Sequence, residues 1–164
     1  MIITQFTAQT PEDLPSRETL LSMSGLAFME AMLRGEISRP PISGLMNYRL
    51  HAVDRGAVAF RGTADFSHTN PMGGVHGGWY GTLLDSCMAC AVMTTVPEGS
   101  VYTTLEYKIN ITRALPTGLE IEARGEVSHA GRSTGVATGE IRGVADGRLY
   151  ASGSTTCLIM DMGG

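Results

Sequence analysis

The stretch Asn70-Pro71-Met72-Gly73-Gly74-Val75-His76-Gly77-Gly78-Trp79-Tyr80-Gly81-Thr82-Leu83-Leu84-Asp85 decides the reading of this chain. From Trp79 to Val96 the one side chain charged at neutral pH is Asp85, and Leu83, Leu84, Met88, Ala89, Ala91, Val92 and Met93 surround it on every helical face. A helix that is apolar all round is a buried helix. Burying an unpaired carboxylate costs on the order of several kcal/mol or forces its pKa upward, so Asp85 asks for a functional explanation. The pattern predicts a helix over residues 77–95, opened by His76-Gly77-Gly78 and closed by Pro97 and Gly99.

Outward from that helix the chain reads as strands. Residues 101–113, 119–130, 133–146 and 148–160 are rich in Thr, Val, Ile and Tyr and are parted by turn residues, which predicts four consecutive antiparallel strands. Before the helix, residues 44–54 and 57–65 alternate around Arg55-Gly56 as a hairpin. A single helix is expected over residues 18–33, capped at Gly35, followed by a linker at 37–43 centred on Pro40-Pro41. The fold class is α+β: an antiparallel sheet of about six strands wrapped around one long central helix, with an extra N-terminal helix. Residues 1–43 form the N-terminal extension and linker, and 44–164 the main unit. A helix buried on every face must also touch something beyond its own sheet, and a second subunit is the simplest source.

Composition narrows the function. With 164 residues, a formal charge of −4 and Lys108 as the single lysine, the chain lacks the clustered basic surface that nucleic acid requires. Met1 to Thr10 has neither the positive region nor the apolar run of a signal peptide, and no apolar segment reaches membrane-spanning length, so a cytoplasmic protein is expected. Cys87, Cys90 and Cys157 cannot all pair with one another, which suits a reducing compartment. Cys87-x-x-Cys90 lies inside the apolar helix with no second pair, so both read as core. Zinc spacing, a phosphate-binding glycine loop and a dinucleotide fingerprint are all missing, and no metal is expected.

A helix N-terminus offers unpaired backbone N–H groups, and Gly77-Gly78 carry no side chain to keep a carbonyl away from them. That is the chemistry of an oxyanion hole. Asp85 follows Gly77 by eight residues, about 12 Å along one helix at 1.5 Å per residue. One carbonyl cannot touch both, so a site that uses both draws them from two subunits.

At this point the residues resemble a known family. Asn70, Gly73, His76-Gly77-Gly78 and Asp85 fall at the spacing of the phenylacetate-degradation (PaaI-like) branch of the hotdog-fold acyl-CoA thioesterases, within the 4-hydroxybenzoyl-CoA thioesterase superfamily. The likeness continues through Tyr102-Thr103-Thr104-Leu105-Glu106, the 108–116 strand and turn, and Gly131-Arg132, covering residues 45–160. It implies a sheet wrapped around the central helix, dimers that pair into homotetramers, and hydrolysis of a medium-chain or aromatic acyl-CoA to coenzyme A and a carboxylic acid. By resemblance Asp85 is nucleophile or general base, Gly77 the oxyanion donor, His76 an orienting residue, and Asn70 the holder of water or carbonyl. Some members carry Thr or Ser one turn after the acid, where this chain has Ala89; Ser86 or Thr104 is the substitute. Gly78, Thr103, Thr104, Arg113, Arg132 and Ser133 are the candidates for substrate and coenzyme A contacts. Trp79, Tyr80, Leu83, Leu84 and the first helix are candidates for the acyl pocket. No cofactor is expected beyond the coenzyme A of the substrate. Two other functions share the fold: a non-catalytic acyl-CoA sensor, for which no output domain is visible, and a hydratase or dehydratase, for which Asp85 lacks a histidine partner.

Overall fold

The computed structural model describes residues 4–163. Helix α4, Gly77–Met93, lies at the centre with Trp79, Leu83, Leu84, Cys87, Met88, Ala91 and Val92 sealed from solvent. A six-stranded, wholly antiparallel sheet wraps it: β1 (Tyr48–Asp54), β2 (Ala57–Thr63), β3 (Ser100–Ile111), β4 (Glu120–Ala130), β5 (Thr134–Gly143) and β6 (Leu149–Asp161). The strand order is β1-β2-β4-β5-β6-β3. The expected strands are therefore present and antiparallel, but β3 pairs with β6 rather than with its sequence neighbour β4. The chain crosses from β3 to β4 over the sheet's end, and β3 is left as an edge.

Three paired glycines let the helix settle on the sheet. Gly125, Gly139 and Gly153 face one another across β4, β5 and β6. A Cβ on Gly125 would strike the backbone carbonyl of Cys87, one on Gly139 would come to 2.7 Å from Met88 Cγ, and one on Gly153 would lie 3.3 Å from Met88 Cε. Only hydrogen side chains permit this approach, which buries the middle of α4 without a gap. The opposite face of the sheet carries exposed or half-exposed ion pairs, Arg61–Glu122, Arg124–Glu126 and Arg142–Glu140 among them, as the alternation of a one-sided sheet requires.

The N-terminal region differs from the expected helix and linker. Two helices replace the single one: α1 (Arg17–Leu21) and α2 (Gly25–Leu33). The break is made by Ser24, whose hydroxyl accepts from Ala27 N–H and so starts a new helix in the middle of a continuous apolar stripe. Gly25 donates its N–H to Val96 O at 2.9 Å, and a side chain there would collide with the Met93 carbonyl, so α2 is pinned to the end of α4. The 37–43 stretch is not a bare linker. Ile37, Ser38 and Ser43 are buried, Arg39 pairs with Thr7 in a parallel bridge, and Pro41 opens helix α3 (Pro41–Leu45). Proline suits a first helical position because its missing N–H would be unpaired there anyway. Consequently β1 begins at Tyr48, four residues later than expected, after Asn47 turns the chain at φ 52°.

Candidate active site

The N-terminus of α4 is fixed before any chemistry is considered. Trp79 Nε1–H donates to Met46 O at 2.9 Å, the Tyr80 hydroxyl accepts from Leu115 N–H at 2.9 Å, and His76 N–H donates to His68 O at 2.9 Å. His68 is itself buried. Its Nδ1 accepts from Asp65 N–H at 3.0 Å, which leaves Nε2–H to donate to Leu45 O at 2.8 Å. The bonds from Trp79, His68 and Tyr80 tie the 65–80 segment to the end of α3 and to the 112–116 turn, and the His76 bond closes the segment on itself.

Asn70 and His76 both serve the loop. Asn70 Oδ1 accepts from Met72 N–H (2.9 Å) and Gly74 N–H (3.2 Å), closing a tight turn in which Gly73 takes φ 80°. That turn is an Asx turn, which Asn forms readily. His76 is the N-cap of α4, with Nδ1 accepting from Gly78 N–H at 2.9 Å. The cap therefore needs Nδ1 unprotonated, and it takes Gly78 N–H out of use for a ligand. Gly77 N–H has no partner among the described residues, and a Cβ on Gly77 would meet only Ile111 Cδ1, at 3.6 Å. Of the two glycines, Gly77 is the one with a donor to offer.

Asp85 lies two turns further along α4, half-buried, and Thr104 Oγ1–H donates to its Oδ1 at 3.0 Å. Burial pushes the Asp85 carboxyl above its ordinary range, and the Thr104 hydrogen bond pulls partly against that. Of the two substitutes for Ala89, Thr104 is thus the side chain that reaches the acid; Ser86 is engaged at 2.9 Å by the Tyr48 hydroxyl.

Strand β3 forms the second wall. Its register slips between Thr104 and Glu106, so Leu105 is a bulge and the inward parity changes there. Thr104 faces α4 on one side of the bulge; on the other side Tyr107 and Ile109 approach Gly81, and Ile111 approaches Gly77. Gly77, Gly81 and Asp85, at four-residue spacing on one face of α4, are therefore lined up against β3. Tyr107 was not anticipated, because strict alternation would have turned it outward; only the bulge brings it in. Thr103, next to Thr104, is exposed on the other face.

The basic candidates separate. Arg113 shares a surface groove with Asn70, Tyr80 and Ile111, at the Gly77 end of the helix. Arg132 and Ser133 lie in the β4–β5 turn, where Ser133 O accepts from Ile159 N–H and the neighbouring Gly135 abuts Val92. Val92 is about 22 Å along α4 from Gly77 at 1.5 Å per residue. Within one chain, Arg113 and Arg132 stand at opposite ends. Among the described residues no group of three His, Cys, Asp or Glu side chains is placed to hold a metal ion.

Comparison with known proteins bears on the fold and the family. Residues 72–149 match the thioesterase superfamily. The solved structure of the phenylacetic acid degradation-related protein of Ralstonia eutropha is 30% identical, with 80% of this chain covering 98% of that one at a TM-score of 0.73. A thioesterase family protein from Silicibacter pomeroyi is 26% identical, with 81% of this chain covering 98% of that one, also at 0.73. The phenylacetic acid degradation protein PaaI of Thermus thermophilus, in a point-mutant form, shares the fold at a TM-score of 0.66 and 24% identity, over 72% of this chain and 97% of that one. No curated protein matches the sequence. A buried helix carrying one carboxylate, a glycine-rich entry to that helix, and near-complete coverage of the Ralstonia protein lead to one family: the chain belongs to the thioesterase superfamily and is a thioester hydrolase of the hotdog fold.

Proposed function

We propose that the chain hydrolyses a medium-chain or aromatic acyl-CoA to free coenzyme A and a carboxylic acid, in a site shared by two copies of the chain. The observation that carries this reading is the pair on α4: a half-buried Asp85 held by Thr104, and an unpartnered Gly77 N–H two turns away on the same face. A second copy brings the Gly77 of one helix to the Asp85 of the other. The free edge of β3, with Leu105, Tyr107 and Ile111 exposed, is where that copy attaches.

In such a site Gly77 N–H donates to the thioester oxygen and stabilises the charge that develops on it as the carbonyl becomes tetrahedral. The ionised Asp85 either takes a proton from the water that attacks the carbonyl carbon, so that C–S cleavage releases the carboxylic acid directly, or attacks that carbon itself, so that C–S cleavage leaves a mixed anhydride on Asp85 that water then hydrolyses to the acid; in both routes coenzyme A leaves as thiolate, which is then protonated. His76 and Asn70 act as positioning residues, one keeping the helix entry open and the other keeping its loop folded. Arg113 is placed to meet a coenzyme A phosphate at the Gly77 end. Arg132 and Ser133 reach the same ligand only from a second copy.

The test is release of free thiol from short, long and aryl coenzyme A thioesters by the wild type and by Asp85→Asn, with the oligomeric state of both measured. Turnover in the wild type and a loss of about 10³-fold or more in a variant of unchanged assembly is expected. Tight acyl-CoA binding with no turnover in the wild type would instead identify a sensor.

A further inference from the structure

A cavity of about 230 Å³ lies between α4 and the N-terminal helices. Phe28, Met29 and Met32 of α2 form one wall; Ser86 and Cys90 of α4 and Tyr102 of β3 form the other. Ser86 is the residue after Asp85. Tyr102 stands two residues before Thr104 on the same face of β3, about 7 Å along the strand. The cavity thus borders the α4 face next to that of Gly77, Gly81 and Asp85, and through Ser86 and Tyr102 it reaches the immediate chain neighbours of Asp85 and the near end of β3 without Asp85 itself lining it.

Its chemistry is apolar. The Ser86 hydroxyl is paired with Tyr48, and the Tyr102 hydroxyl with the Cys90 thiol, which burial pushes up to about 12 and so keeps neutral. Arg39 borders the space; its two terminal nitrogens donate to the Tyr48 carbonyl (3.0 Å) and the Thr7 hydroxyl (2.7 Å), while its buried Nε–H has no partner among the described residues and is the one polar exception in an otherwise apolar wall. Its volume exceeds the roughly 150 Å³ in which an engineered apolar protein cavity holds benzene. Two flexible methionines in the α2 wall allow it to fit either a ring or a chain.

We propose that this cavity houses the acyl group of the substrate, an aryl-alkyl or medium-chain alkyl group without charge, and that the segment 14–43 in front of the sheet sets its length limit. The inference rests on the thioester-hydrolysis reading for the carbonyl's place at Asp85. It gives the N-terminal region a substrate-selecting role that the sheet and α4 do not supply, since Trp79, Leu83 and Leu84 are sealed in the core away from this space.

Met32 is half-buried at the cavity wall, so Met32→Trp fills the cavity and Met32→Ala widens it. With the full-length chain, kcat/KM is measured for acetyl-, phenylacetyl-, octanoyl- and decanoyl-CoA, and binding of the non-hydrolysable thioether octyl-CoA is measured by calorimetry, with thermal unfolding confirming that each variant folds. Met32→Trp is expected to lower the phenylacetyl-to-acetyl and octanoyl-to-acetyl ratios about ten-fold or more and to weaken octyl-CoA, and Met32→Ala to raise the decanoyl-to-octanoyl ratio. Hydrolysis with unchanged ratios and unchanged octyl-CoA affinity overturns the cavity assignment and leaves hydrolysis standing. Octyl-CoA binding that depends on Met32 without any hydrolysis supports the acyl cavity and overturns the hydrolytic reading. Neither hydrolysis nor binding overturns both.

Discussion

At Asp85, burial and the Thr104 hydroxyl act in opposite directions on one carboxyl group, and burial is the larger influence. Its folded-state pKa thus lies above the unfolded value of about 3.9. The native state then holds the proton more tightly than the unfolded chain, so the contribution of Asp85 to stability is present below that value and is lost as pH rises through the raised one. Asp85→Asn is accordingly expected to be more stable than the wild type at pH 7 and to lose that advantage near pH 4, which denaturant unfolding at the two pH values checks. The proposed mechanism needs the ionised form, so it predicts that the acid limb of kcat/KM lies above the ordinary aspartate range. Thr104→Val, which removes the hydrogen bond that lowers the pKa, should move the limb to still higher pH.

Gly77, the proposed oxyanion donor, permits a clean substitution. It is the first residue of α4, preceded by His76 at φ −64° and ψ 139°, the extended geometry that precedes proline without strain. Gly77→Pro removes one N–H and little else. Thermal unfolding should shift by only a few degrees, about the scale of 1 kcal/mol or less, while kcat falls by about 10² to 10³; unchanged kcat would exclude this N–H from the reaction. Asp85 and Gly77 were legible in the sequence because each breaks its surroundings, one as a charge in an apolar helix and the other as a glycine at a helix entry. That the Gly78 N–H is spent on His76 was not legible, since a cap and a catalytic histidine occupy the same position before the same glycines.

Among the elements, α4 and the strands could be read from periodicity, which reports burial directly. The bulge at Leu105 and the Gly125–Gly139–Gly153 row could not, because both are facts of pairing between strands far apart in sequence. The break between α1 and α2 was hidden for a different reason: Leu20, Met23 and Leu26 continue one apolar stripe across it, while α1 ends at its C-cap Ser22 and the Ser24 hydroxyl, by taking the Ala27 N–H, opens a new helix. The glycine row makes a prediction at this scale. Gly125→Ala directs its methyl at the Cys87 backbone, which cannot yield, whereas Gly139→Ala meets the flexible Met88 side chain. Both should destabilise in chemical denaturation by about 1–3 kcal/mol, with Gly125→Ala the larger; the reverse order would show that α4, not Met88, gives way.

For the whole molecule, the order β1-β2-β4-β5-β6-β3 leaves β3 as a twelve-residue edge with apolar side chains exposed beside the candidate site. The wrapped sheet was legible because a helix without a polar face demands cover on all sides. The place of β3 in it was not, since a crossover between non-consecutive strands leaves no local trace. In the proposed site, an unpaired apolar edge next to a half-buried acid would link assembly to chemistry through two residues, Gly77 and Asp85, that lie about 12 Å apart along one helix. The direct test joins two inactive variants. Asp85→Asn and Gly77→Pro chains, differently tagged and refolded together, should regain activity, because each mixed dimer contains one site with both lesions and one with neither. Random pairing makes half the dimers mixed, so recovery of roughly a quarter of wild-type thiol release is predicted. No recovery in mixtures shown to contain mixed dimers would contradict a site built from the Asp85 of one copy and the Gly77 of another.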